Sequence, residues 1–74
     1  MIERPTVGMK CKLNANGMEL IGGIKSVQMF HASQQMVITK VGDNLTSPEI
    51  TYPLEVDQPL INRFMFTNWE VDAL

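Results

Sequence analysis

Between Asn16 and Phe30 the chain reads NGMELIGGIKSVQMF, and this stretch constrains the fold more than any other. Asn16-Gly17 is a strong hairpin signal, because a type I′ turn needs positive φ at both central residues. Beyond it Met18, Leu20 and Ile24 fall on even positions, whereas Val27 and Met29 fall on odd ones. A pleated strand holds one face at period two, so its apolar phase switches only through a bulge or a sharp bend. Gly22-Gly23 and Lys25-Ser26 are where that switch fits, and a long glycine-bent strand is how a small barrel turns its corner.

At 74 residues the chain is a single domain, residues 1–74. A domain this short buries only about 60% of its unfolded surface, so its core is marginal. Cys11 is the only cysteine, which excludes an intramolecular disulfide, and no Cys/His cluster offers a structural zinc site. Yet 45% of the residues are hydrophobic. Small size, no staples and ample apolar content point to self-association or a partner surface. With 6 basic against 8 acidic residues the net charge is −2, so the chain lacks the overall basic field that steers proteins to nucleic acid. The opening MIERPTVG lacks a signal peptide's apolar core, and no run approaches a membrane span. A cytoplasmic, membrane-free protein is expected, and Asn44-Leu45-Thr46 then reads as a loop tripeptide rather than a glycosylation site.

In chain order, Val7, Met9, Cys11 and Leu13 alternate with Lys10 and Lys12, which predicts a half-buried strand over 7–13 with a solvated lysine face. The bent strand follows over 18–30, then a polar connection from His31 to Gln35. Met36–Val41 is rich in β-branched residues and predicts a strand covered on both sides. The breakers from Gly42 to Pro48 predict a flexible loop. Ile50, Tyr52, Leu54 and Val56 alternate with Thr51, Pro53, Glu55 and Asp57, and Pro53 places this strand at an edge or a bulge. Asp57–Arg63, with Pro59 at a first turn, predicts one short helical turn. Phe64–Val71 closes the sheet, apolar or aromatic on both faces, with an acidic tail hanging free. The whole predicts an all-β, five-stranded small barrel.

Chemistry-bearing constellations do not stand out. His31 lies in a polar connection, with no nucleophile and carboxylate arranged around it. Gly22-Gly23 lies within a strand pattern and lacks the Lys-Ser or Lys-Thr of a phosphate loop. Glu55 and Asp57 share one strand face and read as solvated acids; Cys11 reads as a small core hydrophobe. No catalysis, cofactor or metal is expected. The doubly apolar last strand instead suggests a surface for another protein, with Phe64, Phe66, Trp69 and Tyr52 as its anchors.

The residues Asn16, Gly17, Leu20, Gly22 or Gly23, Ile24, Ser26 and Phe30 resemble the first motif of Sm-like proteins, in which an Asn-Gly turn leads into a glycine-bent strand. More broadly, the strand count, the loop near Gly42–Pro48 and the helical turn before the last strand resemble SH3-like barrels. The SH3-like resemblance implies binding of proteins or peptides, and in some members of nucleic acids. The two-faced apolar last strand and the compact acidic chain themselves point to a non-catalytic interaction module, self-associating or docking on a larger partner as a small adaptor or inhibitor. The Sm-like resemblance implies a ring that binds RNA, with Lys10, Lys12, Lys25, Lys40 and Arg63 on phosphates. Small-ligand binding at subunit junctions is a third expectation.

Overall fold

The computed structural model describes residues 1–23, 25–45 and 50–74. The chain runs β1 (Lys10–Leu13), α1 (Ala15–Leu20), α2 (Val27–Gln34), β2 (Met36–Val41), β3 (Leu54–Val56) and α3 (Pro59–Asn62). A 3₁₀ turn (Asn68–Glu70) then leads into β4 (Val71–Ala73). The strands form one antiparallel sheet in the order β3-β2-β1-β4. The expectation of an all-β, five-stranded barrel is therefore wrong: the fold is a four-stranded sheet with helices.

The error lies in the Asn16–Phe30 stretch, which is two helical segments rather than a turn and a bent strand. Asn14 starts α1, its side chain accepting from the Gly17 N–H at 3.0 Å. Ser26 starts α2, its hydroxyl accepting from the Met29 N–H at 3.0 Å. Positive φ falls on Gly22 (76°) and Gly23 (88°), which end the first segment, and not on Asn16-Gly17. In α2 the buried residues are Met29, Ala32 and Ser33, at helical spacing, so the expected polar connection His31–Gln35 lies mostly on a packed helix.

Further expectations need correction. The first strand begins at Lys10, after a turn in which Met9 N–H donates to Thr6 O at 3.2 Å. The fourth is shortened to Leu54–Val56, with Pro53 making only an isolated bridge to Thr67. Phe64–Val71 is not a strand, and the tail does not hang free: β4 lies in the tail, paired with β1 in the register Lys12↔Asp72. Strand β2 has the span the sequence predicts but is covered on one side only, with Thr39 and Lys40 exposed, and the helical turn expected in Asp57–Arg63 is α3, with Pro59 in its first turn. Part of the expected loop Gly42–Pro48, and Ile24 of the Sm-like pattern, lie outside the described residues.

One face of the sheet carries Cys11, Leu13, Met36, Ile38, Leu54, Val56 and Val71 into the core. Residues Met29 and Ala32 of α2 and Ile61 of α3 close over that face, with Phe66 completing the filling. The other face is charged: Lys10, Lys12, Lys40, Glu55 and Asp72. An irregularity between Ile38 and Lys40 keeps this segregation, leaving both Thr39 and Lys40 exposed opposite Glu55.

Candidate docking cleft

The site grows out of the end of α3. Ile61 is fully buried and anchors this short helix. Beyond Asn62 the chain turns, with Phe64 N–H donating to Ile61 O at 3.1 Å and Met65 N–H to Asn62 O at 3.3 Å. Met65 adopts φ 53°, the left-handed region that usually takes glycine or asparagine after a helix. Its side chain is 87% exposed, the most exposed large hydrophobic among the described residues. Phe66 then swings inward to 1% exposure.

Residues 51–54 and 66–69 run side by side as a short ribbon. Leu54 N–H donates to Phe66 O (3.1 Å), Asn68 N–H donates to Tyr52 O (3.1 Å), and Pro53 bridges Thr67. Asn68, fully buried, locks the ribbon to the N-terminal segment. Its Oδ1 accepts from Tyr52 N–H at 2.7 Å, and its Nδ2 donates to Ile2 O at 2.9 Å. Thr67 and Glu70 form a capping box that fixes the 3₁₀ turn, with Glu70 Oε1 accepting from Thr67 N–H at 2.9 Å.

Between this ribbon and the turn lies a cleft of about 340 Å³. Leu45, Pro53, Met65, Phe66 and Thr67 line it, with Glu55 as its one charged group among the described residues. Leu45 is itself 64% exposed and is held by its N–H to Thr51 O at 2.8 Å. An added strand could not reach the backbone beside it. Asn62 closes the outer edge of β3, its Oδ1 accepting from Val56 N–H at 2.7 Å and its Nδ2 donating to Val56 O, while Phe66 O occupies Leu54 N–H. What the cleft offers is room for a side chain.

The expected anchors are not gathered at one point. Phe66 forms part of the cleft wall but belongs to the core. Tyr52 and Phe64 are half-buried against the core, with the Arg63 guanidinium 5.0 Å from the Phe64 ring centre. Trp69, 37% exposed, lies further along the ribbon, its Nε1–H donating to Thr51 Oγ1 at 3.0 Å. Sequence reasoning missed Met65 and Leu45. The sequence holds no specific signal for Met65: the stretch after Asn62 lacks a Gly, but many helices end without a left-handed residue.

The five basic residues expected on phosphates form no single track. Lys10, Lys12 and Lys40 share the open sheet face, but Lys40 pairs with Glu55 at 3.6 Å and Lys12 lies opposite Asp72. Lys25 lies in the connection between α1 and α2, and Arg63 follows α3. Asp72 accepts from the N-terminal ammonium and from Asn14 Nδ2, and these bonds hold its carboxyl below the usual range. Cys11 is fully buried; burial, with a smaller contribution from the Asp57 charge, pushes its thiol up to about 11. Such a thiol is a poor nucleophile. Among the described residues no group of three His, Cys, Asp or Glu could hold a metal ion, and no helix is long and apolar enough to cross a membrane. Comparison with known proteins finds no matching family model, no matching curated protein and no matching solved structure.

Proposed function

We propose that this protein is a non-catalytic interaction module that takes one large apolar side chain of a protein partner into the cleft between Leu45 and Met65. The observation that carries this reading is Met65. Its left-handed backbone costs about 1–2 kcal/mol relative to glycine, and its side chain packs little against the fold in return. Methionine is a flexible, polarisable lip for an apolar contact. The cleft's volume falls at the small end of ordinary ligand sites, enough for a leucine or phenylalanine side chain.

One buried side chain contributes about 1.5–3 kcal/mol, too little for stable association alone. The remaining contact comes from the ribbon surface that leads from the cleft to Trp69, where a rigid, half-exposed indole stands ready-made. The blocked edge of β3 means that recognition runs through side chains and not through strand addition.

The test is selection of binders from a random peptide library on the immobilised protein, followed by mapping of backbone amide shifts with the selected peptides. Enriched peptides sharing one large apolar residue, and shifts concentrated at Leu45, Met65 and Thr67, are expected. Shifts confined to the lysine face of the sheet, or a library that yields no binder, would count against the reading.

A further inference from the structure

The chain has six methionines, and the fold treats them very differently. Met36 is fully buried and Met29 is 7% exposed; Met9 and Met18 are half-buried against the core. Met1 is 43% exposed, and its sulfur lies 3.9 Å from Asn68 Nδ2, which donates to it. Met65 is the most exposed of the six, at 87%, on a left-handed backbone. Thioether oxidation follows accessibility, because the peroxide must reach a sulfur lone pair.

We propose that Met65 is a selective sulfoxidation site, and that its sulfoxide turns the apolar lip of the cleft polar and closes it to an apolar side chain. The oxidant is hydrogen peroxide or an alkyl hydroperoxide. The Met65 sulfur attacks the peroxide oxygen, the O–O bond breaks, and one S–O bond forms. Sulfur loses two electrons, and the peroxide leaves as water or an alcohol after taking up the proton. No thiolate competes for the oxidant, since Cys11 is buried and its thiol is held protonated. The sulfoxide is a polar, chiral group that methionine sulfoxide reductases return to the thioether, so the change is reversible. Met65 touches little of the core, so its oxidation leaves the fold in place, which oxidation of Met36 would not.

The modification itself is independent of the docking reading; its effect on the cleft rests on that reading, and two measurements separate them. The folded protein is treated with dilute hydrogen peroxide, sampled over time and mapped by tryptic mass spectrometry. Cleavage after Arg63 yields a fragment from Phe64 to Leu74 in which Met65 is the only methionine. Tandem spectra distinguish its oxidation from that of Trp69. Met65 is expected to gain one oxygen about tenfold faster than Met29 or Met36, and ahead of Met1. Equal rates across the methionines, or Met1 first, would overturn the site whatever the cleft binds. A peptide selected as above is then titrated against oxidised and untreated protein, with M65L treated identically. A drop in affinity of about tenfold in the oxidised wild type, absent in M65L, is expected. An equal loss in both proteins would place the effect at another oxidised side chain, Trp69 or a different methionine, and overturn the closure by Met65, as would no loss in either. A library that yields no binder would sink the docking reading and the closure with it, while the mass map still decides the site.

Discussion

Gly17 and Met65 each sit against the preference of their own backbone, in opposite senses. Gly17 lies inside α1, where glycine costs about 1 kcal/mol relative to alanine. Met65 lies in the left-handed position after α3, where a side chain is the costly choice. The first departure is explained by looking inward. A Cβ on Gly17 would stand 2.3 Å from Glu70 O and 2.7 Å from a Leu13 methyl carbon, so only glycine lets α1 rest on the 3₁₀ turn. The second has no inward explanation, because the Met65 side chain points into solvent beside a cleft. A residue that defies its local preference and is buried belongs to packing; one that defies it and is exposed is a candidate for function.

The comparison is broken most forcefully at Gly17. By helix propensity alone Gly17→Ala would stabilise α1 by about 1 kcal/mol. The contact with Glu70 O is to backbone, which cannot swing aside, so the opposite outcome is expected: a loss of about 3 kcal/mol in chemical denaturation, near the upper end for overpacking. For a domain of this size that is a large part of the total stability. A neutral or stabilising Gly17→Ala would show that glycine is not needed there for close approach.

Asn68 sharpens the same side of the comparison. Its amide holds the 3₁₀ turn in register by joining Tyr52 N–H and Ile2 O. Asn68→Ala leaves both groups buried or half-buried without that partner and is expected to cost about 2–3 kcal/mol. Because it also frees the turn to move away from α1, the double variant with Gly17→Ala should cost less than the sum of the two, by at least about 0.5 kcal/mol. Strict additivity would mean that the turn does not yield, and that Gly17 and Asn68 act independently.

These residues also show what could be read from the sequence and what could not. The alternation Lys10-Cys11-Lys12-Leu13 placed two lysines outward and two apolar residues inward, as the structure has them, because a half-buried strand writes its faces at period two. Pro59 likewise announced a helical start. Asn16-Gly17 misleads because the same dipeptide serves a turn through glycine's positive φ or a helix through its missing Cβ, and the close approach of the distant Glu70 that calls for a missing Cβ is not visible in the sequence. Ser26, three residues before Met29, suits a helix cap as well as it suits a bend, and the apolar phase switch favours the bend until the Met29 N–H is seen on its hydroxyl. In the candidate site, Trp69 stood out as an aromatic and does lie on the ribbon. Leu45 and Met65 did not stand out, since a single exposed leucine or methionine in a turn carries no pattern until the fold sets it beside a cleft.

The smallest effect falls on the outward side of the comparison, and its sign is the informative part. Met65→Gly removes the left-handed strain but gives the unfolded chain more freedom, so the net gain expected is about 0.5–1 kcal/mol. That corresponds to a rise in Tm of about 2–8 °C, read by thermal unfolding. The same substitution strips the lip from the cleft, and a selected peptide should bind about fivefold more weakly, roughly 1 kcal/mol. Stability and binding moving in opposite directions is what separates this position from Gly17, where the residue present is also the one the fold prefers. If Met65→Gly instead destabilised the protein, the side chain would be contributing to the fold, and the case for Met65 as an outward-facing lip would fail. If it stabilised the protein and left peptide affinity unchanged, the strain would be real but the cleft would not depend on Met65, and Leu45 and the ribbon to Trp69 would have to carry the contact alone.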